Sequence, residues 1–328
     1  MNDRAINILE QYDFQVLRTW KGRGAFLFET PTDTLILKEY CAALYKLGLQ
    51  EELLKGISEK SSLRTEKIFR NKENELYSVD MDKTAYIVKT YPQGRECNIK
   101  ESDEYLKAVT LLAKLHKAME NPDLAQDMSL TELPFLTECK KRTKELIKAR
   151  KFLKQKSQKT EFELYLCKVF DIFLSKAMEI QNQLSAEDCQ GWSHDIINRG
   201  LFCHGDFQHH NIMVDEKGFY IINFEKFTLD NPVKDLYLFM RKLLEKNQWN
   251  PELAMLLFLT YENERPLCEQ DKKQLLYKFM YPEKFWKIVN FYYNSPKSWL
   301  PGKNREKLEQ LVAIEKQREN CIEILKNI

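Results

Sequence analysis

A chain of 328 residues exceeds an average domain and predicts either one large two-lobed fold or two domains. Its 43% hydrophobic and 12% aromatic content supplies enough apolar surface for a core, which excludes global disorder. The 51 basic and 49 acidic residues nearly cancel to +2, leaving no concentrated basic surface to argue for nucleic acid. A lysine-rich run, "KKRTKELIKARKFLKQK" (140–156), carries Leu, Ile and Phe at helical spacing and reads as a solvated helix face. No stretch approaches the roughly 20 apolar residues that cross a bilayer, so no membrane insertion is expected. "MNDRAINILEQYDF" has the spacing of an amphipathic helix rather than of a secretory signal, which predicts cytoplasmic synthesis. The eight cysteines (41, 97, 139, 167, 189, 203, 268, 321) include no C-x-x-C pair. Reduced thiols are expected, with neither zinc nor haem.

In chain order, "FQVLRTWKGRGAFLFETPTDTLILKEY" (14–40) alternates apolar and polar residues about a Thr-Pro-Thr-Asp turn and predicts a hairpin. Residues 41–58 carry apolar positions three and four apart and predict a helix. "KIFRNKENELYSVDMDKTAYIVKTY" (67–91) gives two or three short strands. "PQGREC" then breaks the pattern with Pro and Gly. Helices follow over 102–119, with Ser102 as N-cap, and over about 135–156 and 160–186. The organisation is therefore α+β: a strand-rich lobe over 1–91, a connector over 92–100, and a helical lobe over 101–328. The helical lobe holds an embedded hairpin at 201–227. The aromatics of 285–302 sit at helical spacing and read as core, Trp299 being the one expected at the surface.

The hairpin "LFCHGDFQHHNIMVDEKGFYIINFEKF" carries the chemistry. Phosphoryl transfer needs an acceptor for the hydroxyl proton, ligands for Mg²⁺, and a cation on the donor phosphates. Asp206 offers the first, and Asn211, five residues on, offers an amide oxygen to a metal. Gly205 admits the unusual backbone angle that such a loop requires. Lys38 ends the apolar run "TLILK" and supplies the phosphate cation, with Glu51 or Glu52 of the next helix as its acidic partner, Glu52 preferred. Gly22 and Gly24 in "KGRGAF" match two of the three glycines of a phosphate loop, and a tight turn explains them equally well. The adjacent pair His209 and His210 suits a shared metal poorly, so a histidine metal site is not expected. His204 reads as a loop histidine bonding local backbone, His194 as loop surface and His116 as a buried helix residue.

"HGDFQHHNIM…YIINFEKF…NPVKDLYLFMRK" resembles the catalytic segment of the aminoglycoside and choline phosphotransferase-like kinases. With "YPQGREC" (91–97), "LAKLHKA" (112–118), "DLYLFMRKLLEKNQWN" (235–250) and "YPEKFWKIVNFYYNSPKSW" (281–299), it is similar more narrowly to the CotS family of spore coat proteins of endospore-forming bacteria. The resemblance implies a protein kinase-like two-lobed fold, with a small antiparallel-sheet lobe and a larger, mainly helical one. It implies Asp206 as base, Lys38 as the ATP-binding lysine, and Asn211 as a secondary metal ligand. "IVKTYPQG", with Val88 and Thr90, becomes the hinge whose backbone pairs with adenine. Asp235 becomes a brace of the catalytic loop, and the spore coat the site of residence, with other coat proteins as partners. Nothing in the sequence specifies an acceptor or an oligomeric state.

By the same resemblance Asn223 stands where active phosphotransferases carry the aspartate that bridges Mg²⁺ to the phosphates. An amide brings only a dipole oxygen where a carboxylate brings full charge. Glu225, two residues along the expected strand, and Asp230 are candidates to compensate. Two readings follow. One is a kinase-like coat protein that binds ATP at most, with weak or lost phosphotransfer. The other is an active Mg-ATP-dependent kinase acting on a hydroxyl of a sugar or amino alcohol, with Asp206 as base.

Overall fold

The computed structural model describes residues 3–22, 24–294 and 301–327, with residues 3–6 and 301 described by backbone alone. Trp299 lies outside the described residues. The chain gathers into two compact units, Met1–Met128 with Gly200–Leu229, and Ser129–Arg199 with Asp230–Ile328.

The first unit is built on an antiparallel sheet of β1 (Arg18–Gly22), β2 (Ala25–Glu29), β3 (Thr34–Glu39), β4 (Ile68–Phe69), β5 (Ser78–Val79) and β6 (Ala85–Thr90). Its order is β1-β2-β3-β6-β4, with β5 also on β6. The hairpin expected over 14–40 is in fact two. Gly22 faces Ala25 at the first turn; at the second the Thr30 amide donates to the Asp33 carbonyl and the Asp33 amide donates to the Thr30 hydroxyl. Side chains alternate between faces with period two. Phe26, Phe28, Leu35, Leu37, Tyr86 and Val88 form one apolar face, covered by Ile8, Leu9 and Tyr12 of a 3-10 helix over Asp3–Gln11. Burying each such side chain contributes about 1.5–3 kcal/mol. Ala25, Leu27 and Ile36 lie on the other face with Trp20 and Tyr91. In the β3–β6 register Ile36 is opposite Lys89 and Lys38 is opposite Ile87. Period two therefore puts Lys38 and Lys89 on the Ile36 face as diagonal neighbours.

After β3 comes α1 (Lys46–Lys60), which buries Leu47, Gln50, Leu53, Leu54 and Ile57. Next are α2 (Ser102–Met119) and the short α3 (Pro122–Gln126). The N-cap of α2 is Glu101, without a side-chain cap bond, so Ser102 is already helical. The expected connector contributes β7 (Arg95–Glu96). Residues 202–229 add β8 (Phe202–Cys203), β9 (Ile212–Asp215), β10 (Gly218–Ile221) and β11 (Thr228–Leu229). β7 pairs with β9, β9 with β10, and β8 with β11. The β9–β10 hairpin is clamped to the chain after α1. Arg64 donates to both carboxylate oxygens of Asp215 at 2.6 Å, and the Ile221 amide donates to the Arg64 carbonyl at 2.9 Å.

The second unit is helical: α4 (Pro134–Gln155), α5 (Glu161–Ser185), α6 (Cys189–Arg199), α7 (Val233–Lys246), α8 (Pro251–Glu264), α9 (Glu269–Met280), α10 (Glu283–Asn294) and α11 (Pro301–Leu325). A capping box of Thr160 and Glu163 starts α5, each side chain bonding the other's backbone amide. Phe170 and Phe173 meet Phe285 at ring-centroid distances of 5.2 and 4.5 Å, so Phe285 is core as expected, whereas Trp286, Tyr292 and Tyr293 are partly buried and Phe291 is exposed. Arg318 of α11 donates to the Met280 and Tyr281 carbonyls, satisfying the end of α9. His194 is exposed on α6 rather than on a loop. Among the described residues no helix is long and apolar enough to cross a membrane.

The Lys89 side chain is 2% exposed and pairs at 2.9 Å with Glu66, which is 0% exposed. Removing one partner strands a buried charge, so Lys89→Met is expected to destabilise by roughly 3–5 kcal/mol in urea unfolding. Adding Glu66→Gln, which keeps an acceptor oxygen, should recover most of that loss; equal destabilisation of single and double variants would refute the assignment. The hydrogen bonds from Arg64 hold the Asp215 carboxyl at about 2, below its ordinary 3.8. A lowered folded-state value stabilises above the unfolded value and is lost as pH falls. The melting-temperature gap between the wild type and Asp215→Asn should therefore be full at pH 6 and close between about pH 4 and 2.

Candidate functional site

Residues of the first unit converge on the Lys38–Lys89 face of the sheet. The strand β10 ends at Ile221, and Asn223 takes a left-handed conformation (φ 69°, ψ 58°), which Asn tolerates better than most residues. The chain then turns through a short 3-10 helix over Phe224–Lys226. The expectation that Glu225 continues a strand is thus corrected: the left-handed residue ends the strand, and the turn swings Glu225 inward. Lys38 Nζ lies 3.1 and 3.0 Å from its two oxygens, and Lys89 Nζ lies 2.7 Å from Oε1. Burial raises the Glu225 carboxyl, but Lys89 and Lys38 outweigh it and hold the group at about 2. Burial likewise lowers Lys89, and Glu66 with Glu225 more than restores it, so the ammonium titrates above its ordinary value.

Glu66 organises the backbone of this turn. Its carboxylate accepts the amides of Asn223 at 2.7 Å and Phe224 at 3.0 Å, besides the Lys89 ammonium. The acidic partner expected from α1 is corrected accordingly. Glu52 is exposed, and Glu51 is bonded to Arg70. The inward position of α1 is Gln50, which reaches Glu66 at 3.5 Å. The helix phase set by Leu47, Leu53, Leu54 and Ile57 leaves 52 outside that face.

The loop before β9 holds Asp206. His204 is fully buried and accepts the Asp206 amide at Nδ1 (3.2 Å), so Nε2 carries the proton donated to the Ile222 carbonyl at 3.0 Å. Gly205 has φ 79°, and a Cβ there would collide with the Lys226 carbonyl. The Asp206 carboxylate accepts from Lys226 at 2.8 Å and from the Gln208 amide. Asn211 donates to the Asp206 carbonyl at 2.8 Å, which fixes the loop across five residues.

The two amides form a chain. Asn223 Nδ2 donates to Asn211 Oδ1 at 2.7 Å, while Asn223 Oδ1 accepts from Lys89 at 3.0 Å and Lys38 at 3.3 Å. Both oxygens expected to face Mg²⁺ are therefore turned to donors, and Glu225, a carboxylate expected to compensate, is held by two ammonium groups. This donor set does not fit a divalent cation. Among the described residues no three His, Cys, Asp or Glu converge on a metal position. Asp230, the other candidate substitute, is committed to Lys234 at 2.9 Å in the second unit.

Gly22 and Gly24 (φ 70°) shape the tip of the β1–β2 hairpin. Val88 is opposite both Leu37 and Phe69, and the Thr90 amide donates to the Lys67 carbonyl, so the sheet commits backbone that was expected to meet adenine. Asp235 is buried in the first turn of α7, within the second unit. Sequence reasoning missed Lys89, Glu66, Gln208 and Lys226. Lys89 had a signal: a lysine inside "AYIVKTY" is out of place in an otherwise apolar strand unless it is paired. Glu66 had none, because its loop carries no pattern.

The chain matches the family described as "Spore coat putative kinase YutH" over residues 6–325. It is 23% identical over 157 residues to spore coat protein S of Bacillus subtilis (strain 168), a match covering 47% of this chain and 45% of that protein. Its fold is similar to that of an aminoglycoside phosphotransferase from Alicyclobacillus acidocaldarius subsp. acidocaldarius DSM 446, with a TM-score of 0.84 at 16% identity over 98% of this chain and 95% of the other. A spectinomycin phosphotransferase in complex with ADP and spectinomycin superposes with a TM-score of 0.63 at 13% identity, covering 98% and 96%. A left-handed Asn223 beside an inward Glu225, an Asp206–Asn211 loop and a lysine on the third strand thus sit on a protein kinase-like α+β fold, in a chain that belongs to the YutH family of spore coat proteins.

Proposed function

We propose that this chain is a kinase-like spore coat protein that binds ATP and transfers phosphate weakly or not at all. The observation that carries this reading is Asn223, whose side-chain oxygen accepts from two ammonium groups at 3.0 and 3.3 Å instead of facing a cation. Phosphoryl transfer depends on charge neutralisation at the moving phosphoryl group. A neutral amide already occupied by lysines contributes little to it. Asp206, the base of the alternative reading, has one oxygen on Lys226 and the other on Gln208. Nucleotide binding itself is supported by Lys38, a third exposed on the sheet face, and by a fold shared with a phosphotransferase that holds ADP. Residence in the spore coat is supported by the family and by the similarity to spore coat protein S, and other coat proteins would be the partners there.

The test is a thermal melt with ATP alongside a turnover assay. ATP is expected to raise the melting temperature. Hydrolysis and transfer should stay at background in the wild type and in Asn223→Asp alike. Turnover above background that disappears in Asp206→Ala would instead establish the active phosphotransferase.

A further inference from the structure

Binding a polyphosphate demands cations, and the residues that would hold a divalent ion here are turned to other partners. Three distances show what stands in its place. The Lys89 ammonium lies 2.9 Å from Glu66, 2.7 Å from Glu225 and 3.0 Å from Asn223. It thus collects two carboxylates and an amide oxygen around one positive centre, the kind of oxygen shell that a hard cation gathers. Unlike a dissolved ion, this centre is covalently fixed, and its side chain is 2% exposed. Lys38 differs. Its side chain is 32% exposed, and its contacts are Glu225 and Asn223. It is the ammonium that an incoming phosphate reaches, and Glu225 is the group that phosphate must displace.

We infer that the site takes the nucleotide's phosphates without a divalent metal, the buried Lys89 ammonium serving as its resident cation and Glu225 as a built-in competitor for Lys38. The inference rests on the nucleotide-binding reading above and goes further by assigning opposite roles to the two lysines. It also fixes the sign of a substitution. If Glu225 were a metal ligand, neutralising it would weaken binding of Mg-ATP. As a counter-ion of Lys38, its neutralisation frees that lysine and strengthens metal-free binding.

Isothermal titration with ATP, in EDTA and in excess Mg²⁺, separates the cases. Wild-type affinity should be no greater with Mg²⁺ than with EDTA. Glu225→Gln should bind ATP in EDTA about tenfold more tightly, the effect of removing one unit of nearby negative charge in a partly screened site. Glu225→Gln leaves Lys89 paired with Glu66, and its far-ultraviolet dichroism and urea midpoint would verify the fold. Binding seen only with Mg²⁺, or weakened by Glu225→Gln, would overturn the metal-free assignment while leaving nucleotide binding intact. No ATP binding in either condition, for either protein, would overturn both.

Discussion

The buried Lys89–Glu66 pair is the constraint on which the site depends. Two charges taken out of water gain little net stability, but neither can be left without the other. Glu66 therefore has to sit opposite β6, and once there its remaining lone pairs take the amides of Asn223 and Phe224. That fixes the turn after β10, and the turn delivers Glu225 to Lys38 and Lys89. One ion pair thus connects the sheet, the segment after α1 and the catalytic-type hairpin of the first unit.

Local chemistry makes that arrangement affordable. The left-handed conformation at 223 is tolerated by an asparagine, and the Arg64–Asp215 clamp and the Thr65–Ile221 bridge hold the hairpin where Glu66 can reach it. The Asp206 loop is fixed separately, by Gly205, by the buried His204 and by Asn211. The backbone of the Asp206–Asn211 loop is therefore fixed while its side-chain oxygens face protein donors.

Much of this was legible beforehand. The D-x-x-x-x-N spacing located Asp206 and Asn211, and Asn223 was visible as the odd residue of "YIINF". The long helical periodicities placed α4 and α5 to within a residue or two of where they fall. The misses share a cause. Glu52 was preferred over Glu51 from a local guess about helix phase, yet the inward residue is Gln50, and the carboxylate on Lys38 is Glu225, from the turn after β10. Glu225 was expected on a strand because period two is the default after an apolar run, and a single positive φ at 223 ended that run.

The sequence by itself determined which residue types are available: a lysine on the third strand, and an aspartate and two asparagines at fixed intervals. Their periodicities determined the elements, because burial of apolar faces is a local pattern repeated along the chain. Only the tertiary structure decided which charges meet. Lys89 and Glu66 are 23 residues apart and Lys38 and Glu225 are 187 apart, and no local pattern records a pairing set by strand register and a turn. Desolvation then makes the Lys89 pairing compulsory, since a buried ammonium must find its carboxylate wherever in the chain it lies.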